Sequence, residues 1–163
     1  MRHDLYKQLA SAIPSAIKER RKDTAQRQAR LENDRRRLLR TLPRLAKSVP
    51  SQAGIEQYCD ALVQYVSFSH YGVFWRLNNG EERREEAKRV AAVVYPKLQK
   101  STEQIVRFTQ RCRQDGLKSS NARFARELAQ LAKHLKARFA QEDRLLNAMD
   151  KASAKTPHAA RAA

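Results

Sequence analysis

The chain has 163 residues and a net charge of +17 at neutral pH, from 34 Lys and Arg against 17 Asp and Glu. This length is typical of one domain that buries a core without needing a metal or disulfides. No apolar run approaches the roughly 18 residues that a membrane span requires, and the N-terminus shows no secretory signal, so we expect a cytoplasmic protein with no membrane partner. The positive charge indicates a polyanion or an acidic protein surface as partner.

Residues 1–28 are predicted to form a basic N-terminal extension. Residues 17–27 favour a helix but have no apolar face, which is typical of a segment that projects from the body and is partly mobile. The cations of this extension are the candidates for non-specific contacts with DNA or RNA phosphates: Lys18, Arg20, Arg21, Lys22 and Arg27.

Apolar residues at helical spacing then predict four helices. The first has its leucines from Leu31 to Leu45, and its end is bracketed by Pro43 and Pro50, since each disfavours helix in the residue before it. The second covers 54–77 and stops at the turn residues 78–80. The third covers about 82–113, with Pro96 kinking or dividing it. The fourth covers 121–149.

Strand patterns are absent, so the chain is predicted to be all-α. Four helices with short connections favour an antiparallel up-and-down four-helix bundle over residues 29–150. Gly72, inside the second helix, is predicted to mark a close helix contact. Residues 151–163 are small and basic without apolar periodicity, which indicates a disordered tail.

One polar pair is predicted inside the bundle. On the apolar side of the second helix the pattern offers Ser69 and His70, and on that of the fourth it offers Glu142 between Phe139 and Leu145. Buried polar groups need partners across the core, so we expect His70 and Glu142 to lie close together. Such a pair either holds the helices in register or shapes a functional surface.

The sequence offers little for catalysis or metal binding. None of the four histidines follows a glutamate by three residues, as di-iron bundles require. Cys59 and Cys112 fall on apolar stripes and are interpreted as buried thiols in a reducing compartment. No glycine-rich phosphate loop occurs. We therefore expect no enzyme activity, no metal and no cofactor.

Three segments carry a family resemblance. YCDALVQYVSFSHYGVFWRL resembles a segment of the Rsd/AlgQ regulators, which are bacterial anti-sigma proteins, through Cys59, Leu62, Val63, Tyr65, Ser67 and His70. VYPKLQKSTEQIVRF is similar to a second segment through Tyr95, Pro96, Leu98, Thr102 and Glu103. ARFAQEDRLL is similar to a third through Arg138, Phe139, Glu142, Asp143 and Leu145.

The resemblance implies a four-helix bundle that binds the C-terminal DNA-binding region of the primary sigma factor and limits its use by RNA polymerase. Arg30, Arg35 and Arg36 look like the family's Arg-x-x-x-x-Arg-Arg run. The partner-binding residues are expected on a polar and aromatic exposed edge of the first two helices: Arg30, Arg35, Arg36, Ser67, His70, Tyr71 and Phe74.

A second hypothesis stands beside the first. The net charge also fits a basic helical-bundle protein that binds nucleic acid non-specifically, with its first helix and both tails contacting phosphates without reading bases. A hybrid of the two is open as well, and the sequence predicts no oligomeric state.

Overall fold

The computed structural model describes residues 24–47, 50–115 and 121–154. Nearly all of them are helical and none is in a strand, which confirms the all-α prediction. Residues 1–23 of the predicted extension and residues 155–163 of the predicted tail lie outside this description. Within the described ranges, no helix has the length and apolarity to cross a membrane.

The first helix, α1, runs from Thr24 to Lys47. Its inner side buries Leu31, Leu38 and Leu42, as the helical spacing predicts. The helix ends between the two prolines that bracket it in the sequence. It also begins before residue 29, so the last residues of the predicted extension are continuous with the domain.

The second predicted helix is built from three pieces. Helix α2 covers Gln52–Ser67, and the Ser51 hydroxyl caps it by accepting a 3.1 Å hydrogen bond from the backbone N–H of Gly54. A π-helical turn, Phe68–Val73, follows directly, and α3 covers Trp75–Asn78. The stop is at Gly80, whose φ of +69° is the left-handed conformation expected there.

Gly72 lies inside the π-helical turn at the predicted close contact. A Cβ on Gly72 would come within 2.7 Å of ring atoms of Phe68. The nearest contact is therefore made within the turn itself, with Phe68. Phe68 is buried, so its ring has little room to move away.

Two long helices complete the chain: α4, Glu85–Asp115, and α5, Asn121–Ala154. Pro96 lies inside α4 at an exposed position, and the helix continues through it, which excludes the predicted division at this residue. The α5 helix continues past Met149 to Ala154, so the first residues of the predicted tail are helical.

The four long helices contact one another in a closed order. Helix α4 packs along α5, α5 packs on α1, α1 packs on α2, and α2 packs on α4. Most buried apolar side chains form one cluster at their centre, which includes the buried thiols Cys59 and Cys112. A smaller cluster lies around Phe74, Val94 and Leu145. The site described next lies among α1, α2, the π-helical turn and α5.

Candidate functional site

A buried cluster of polar side chains is centred on Glu142 of α5, which has no exposed surface. Its Oε2 accepts hydrogen bonds from Arg35 Nη2 at 2.8 Å and from the Tyr65 hydroxyl at 2.5 Å. Its Oε1 accepts from Ser69 Oγ at 2.6 Å and from Arg138 Nε at 3.0 Å. Both carboxylate oxygens are therefore satisfied, which is the condition for keeping a charge in the core.

Further contacts hold Arg35 of this cluster in place. Its Nη1 donates to Asp143 Oδ1 at 2.6 Å, and its guanidinium lies 5.1 Å from the centre of the Phe139 ring. Burial would lower the pKa of Arg35, but the carboxylates of Glu142 and Asp143 outweigh it and hold that pKa above its ordinary value. Arg35 thus stays charged and joins α1 to α5.

Tyr65 is the second donor to Glu142 whose pKa is shifted in this cluster. Burial and then the nearby Glu142 charge raise the pKa of its phenol well above the ordinary value. Tyr65 therefore keeps its proton and remains a donor to Glu142.

His70 does not take part in this cluster, so the predicted pairing of His70 with Glu142 is wrong. Ser69 makes that contact instead, because Tyr65 and Ser69 are four residues apart and share one side of the helix. His70, the next residue, is rotated by about 100° around the helix axis and so points away from Glu142. The Asn78 side-chain amide donates to the His70 carbonyl oxygen at 2.7 Å and lies 3.0 Å from its Nδ1. Burial and the charge of Arg138 lower the pKa of His70 to about 4.

Three of the predicted partner-binding residues are buried, and the expectation that they lie on an exposed edge is wrong. Arg35, Ser67 and Phe74 expose 6%, 1% and 1% of their surface. The sequence carried a signal for Arg35, which lies between Leu31 and Leu38 at helical spacing and hence on the inner stripe. Phe74 follows the π-helical turn and packs into the smaller apolar cluster.

Two other predicted partner-binding residues, Arg30 and Arg36, reach the surface of α1. The Arg36 side chain is 62% exposed and lies 3.5 Å from Glu32. The Arg30 guanidinium stacks 4.1 Å above the centre of the Phe68 ring, and its side chain is 35% exposed. Stacking of this kind fixes the orientation of Arg30, whereas Arg36 is the more accessible cation.

The remaining predicted residues, His70 and Tyr71, form an aromatic edge together with Trp75. The His70 and Tyr71 rings meet edge to face with centres 4.5 Å apart, and the Tyr71 and Trp75 ring centres are 6.2 Å apart. All three side chains are half-buried. They also line a pocket of about 330 Å³ whose opposite wall is α4.

The outer face of α2 differs in charge from the rest of the molecule. Its exposed residues include Glu56, Gln57, Asp60 and Gln64. No Lys or Arg occurs between residues 47 and 76, whereas each of the other long helices has at least seven. A shallow groove of about 420 Å³ separates this face from α1. The α2 face is thus a mildly acidic surface on a strongly basic chain.

The predicted nucleic-acid contacts are only partly described. Arg27 is half-buried, and its Nη1 lies 3.5 Å from the carbonyl oxygen of Gly72. Arg27 lines a groove of about 990 Å³. In the same groove, Arg84 donates two 2.6 Å hydrogen bonds to the carboxylate of Glu82. The Arg84 hydrogen bonds hold the pKa of Glu82 at about 2. The other candidates lie outside the described residues: Lys18, Arg20, Arg21 and Lys22.

The described residues offer little reactive chemistry. Within residues 24–47, 50–115 and 121–154, no three His, Cys, Asp or Glu side chains are grouped so that they could hold a metal ion. Contact with the Cys112 thiol, followed by burial, raises the pKa of Cys59. The thiolate of Cys59 is therefore disfavoured, and with it nucleophilic reactivity.

Comparison with known proteins agrees with the resemblance seen in the three sequence segments. A family model described as "Regulator of RNA polymerase sigma(70) subunit, Rsd/AlgQ" matches residues 6–150. A protein named Regulator of sigma D from Shigella boydii serotype 4 is 28% identical over 109 residues, which are 66% of this chain and 68% of the relative. The protein of that name from Escherichia coli strain K12 / DH10B has the same identity and coverage. No solved structure matches the chain. With nearly its whole length matched by the family model, this chain belongs to the Rsd/AlgQ family.

Proposed function

We propose that this protein is a transcription regulator that binds the C-terminal DNA-binding region of the primary sigma factor and limits its use by RNA polymerase. The observation that carries the proposal is the family match over residues 6–150. The name of the relatives, Regulator of sigma D, supports a sigma factor as the partner class. A regulator of this kind acts by binding, without catalysis, metal or cofactor, and it acts where the polymerase is, in the cytoplasm.

The outer face of α2 is the surface we propose for this contact. A DNA-binding region carries positive charge because it contacts phosphates, so most of this basic chain would repel it. The α2 face has no cation of its own and carries the carboxylates of Glu56 and Asp60, of which Asp60 forms a 2.7 Å exposed ion pair with Arg113 of α4. Its groove towards α1 is lined by Thr41, Gln57 and Gln64, with Arg37 on the α1 side. Polar side chains at such a rim select the partner's orientation.

Four of the predicted residues remain proposed partner contacts beside this surface: Arg30, Arg36, His70 and Tyr71. Aromatic and arginine side chains are enriched where proteins bind each other, because both bury much area and arginine donates several hydrogen bonds in a fixed geometry. In this arrangement the α2 face supplies the acidic contact, and the aromatic edge supplies apolar area.

We also propose an antiparallel up-and-down arrangement for the four long helices. The closed order of contacts among α1, α2, α4 and α5 supports it. The short connections between successive helices support it as well, since short connections join antiparallel neighbours. This arrangement would keep α1 beside α2 and place their shared groove on one side of the molecule.

The test is binding of the full-length chain to the purified C-terminal region of the primary sigma factor, measured by calorimetry after nuclease treatment. A double variant, Glu56→Arg with Asp60→Arg, should weaken binding by at least about tenfold, because it places two cations opposite a basic partner. The matched control is Glu85→Arg with Glu86→Arg, which makes the same change in charge on exposed residues of α4.

Two results would count against these proposals, and each would contradict a different one. Absence of binding by the unaltered chain would overturn the sigma-factor proposal itself. Equal weakening by the α2 and the α4 variants would leave the partner in place but overturn the choice of the α2 face, since a general charge effect would then suffice.

Non-specific binding of nucleic acid is the second candidate, and the exposed side of α1 favours it. Arg36, Arg37, Arg40 and Arg44 are all exposed there. Contacts of this kind release counterions, so affinity for random DNA should fall steeply with salt. Replacing these four arginines with glutamine should reduce the slope of that dependence. If the slope does not change, α1 is not the contact surface.

A further inference from the structure

The pocket behind the aromatic edge has the size of a small-molecule site. It lies between the π-helical turn with α3 on one side and α4 on the other, and has a volume of about 330 Å³. Small-molecule sites in proteins start at about 300 Å³ and combine apolar walls with a few fixed polar groups. Tyr95, Phe74 and Leu98 supply such walls, and Gln99 and Thr102 supply polar side chains.

Arg138 is the cation that this pocket contains. Only 3% of its surface is exposed, and it is held rigidly by α4 and α5. Its Nε donates to Glu142, and its Nη1 donates to the Leu98 carbonyl oxygen, Ser101 Oγ and Thr102 Oγ1 at 3.1, 2.8 and 2.9 Å. All four hydrogen bonds are therefore donated by Nε and Nη1. Nη2 has no acceptor among the residues that the structure describes.

The charge balance around Arg138 points in the same direction. Glu142 is the carboxylate that pairs with Arg138, and it is shared with Arg35. Arg35 has Asp143 as a second counter-charge, at 2.6 Å. The two arginines and the two carboxylates of the cluster balance in charge, but Arg138 lines the pocket whereas Glu142 and Asp143 do not. A preoriented guanidinium in such a site is a strong partner for an oxyanion.

We propose that this pocket binds a small aromatic carboxylate, with the carboxylate accepting from Nη2 of Arg138 and the ring packed against the apolar wall. The aromatic side chains that line the pocket favour a planar ring. We expect a monoanion rather than a phosphate dianion, because Arg138 is the one cation among the lining residues. His70, the other lining side chain that could carry positive charge, is neutral at physiological pH. This site goes beyond sigma-factor binding and does not depend on it.

Benzoate is the probe that tests the proposal with the full-length chain. Trp75 lines the pocket and is the single tryptophan of the protein, so its fluorescence reports directly on this site. Benzoate should change the fluorescence saturably in the millimolar range. Benzamide, a neutral molecule of the same shape, should bind at least about tenfold more weakly, because it lacks the charge that Arg138 recognises. Equal affinity for the two would overturn the proposal, as would no saturable change with benzoate.

A matched pair of variants on α4 locates the site without touching the buried cluster. Gln99→Glu places a carboxylate in the pocket and should weaken benzoate binding by about tenfold through repulsion, while leaving benzamide unaffected. Gln110→Glu makes the same change at an exposed position of α4 outside the pocket and should bind benzoate as the unaltered chain does. If the two variants bind benzoate alike, the ligand lies elsewhere and the proposal fails.

Discussion

Ser69 Oγ lies 2.6 Å from Oε1 of Glu142, and this hydrogen bond joins the π-helical turn to the last helix. Two residues earlier, Ser67 is buried as well, but its Oγ has no hydrogen-bond partner among the described residues. The two serines therefore have the same size and nearly the same burial, and they differ in whether the hydroxyl is satisfied. A buried hydroxyl without a hydrogen-bond partner destabilises the folded protein, whereas one that forms a hydrogen bond stabilises it.

The first prediction compares alanine variants of these two serines. Ser69→Ala should lower the free energy of unfolding by about 1–3 kcal/mol, because it removes one donor to a buried carboxylate. Ser67→Ala should leave that free energy unchanged or raise it by up to about 1 kcal/mol, since it removes an unsatisfied hydroxyl. Urea denaturation of both variants measures the difference. A larger loss for Ser67→Ala than for Ser69→Ala would contradict the assignment of these partners.

The second prediction concerns the charge of Glu142. Glu142→Gln keeps the shape of the side chain but leaves Arg35 and Arg138 without their shared buried counter-charge. Breaking a buried ion pair in this way should lower the free energy of unfolding by about 3–5 kcal/mol. The control is Asp143→Asn on the next residue, whose side chain is 54% exposed and should cost less than about 1 kcal/mol. If Glu142→Gln and Asp143→Asn lower the free energy of unfolding equally in urea denaturation, burial does not explain the contribution of Glu142 to stability.

Much of the helical framework could be predicted from spacing alone, because apolar residues three and four apart must share a side of a helix. The inward position of Glu142 was predicted in this way. Its partner was not, since Ser69 and His70 are adjacent and spacing does not resolve which one turns inwards. Tyr65 lies four residues before Ser69, and this spacing places the two on the same side of the helix.

The surface was harder to predict than the core. Arg35 and Phe74 were expected on the exposed edge of the first two helices as partner-binding residues, but both side chains are buried. For Phe74 the reason is the π-helical turn, which adds a residue and shifts the phase of everything after it. No local pattern in FSHYGV announces that turn. The pocket at Arg138 requires contacts among three separate segments, which spacing within one helix does not reveal.

The third prediction tests why residue 72 is a glycine. Gly72→Ala should lower the free energy of unfolding by about 1–3 kcal/mol through overpacking against Phe68, although alanine favours helix by about 1 kcal/mol. Phe68 is fixed by its burial and by the Arg30 guanidinium over its ring. Combining Gly72→Ala with Phe68→Leu should recover part of the loss, which a double-mutant cycle in urea measures. Strict additivity of the two changes would exclude a clash between these residues.

The fourth prediction is a pH dependence of stability due to His70, whose pKa is about 4 in the folded protein, against an ordinary 6.5. The unfolded chain binds a proton first as pH falls, so the contribution of His70 to stability should be lost from about pH 6.5 down to about pH 4 and should change no further below pH 4. Between about pH 7 and pH 5 the loss should be on the order of 1–2 kcal/mol. Glu82, whose ordinary pKa is 4.5, contributes only below this range. The control is His70→Gln, which lacks the titrating ring and should lose less stability over the same interval of pH in urea denaturation. If the variant and the unaltered chain lose stability equally, His70 is not the group that titrates.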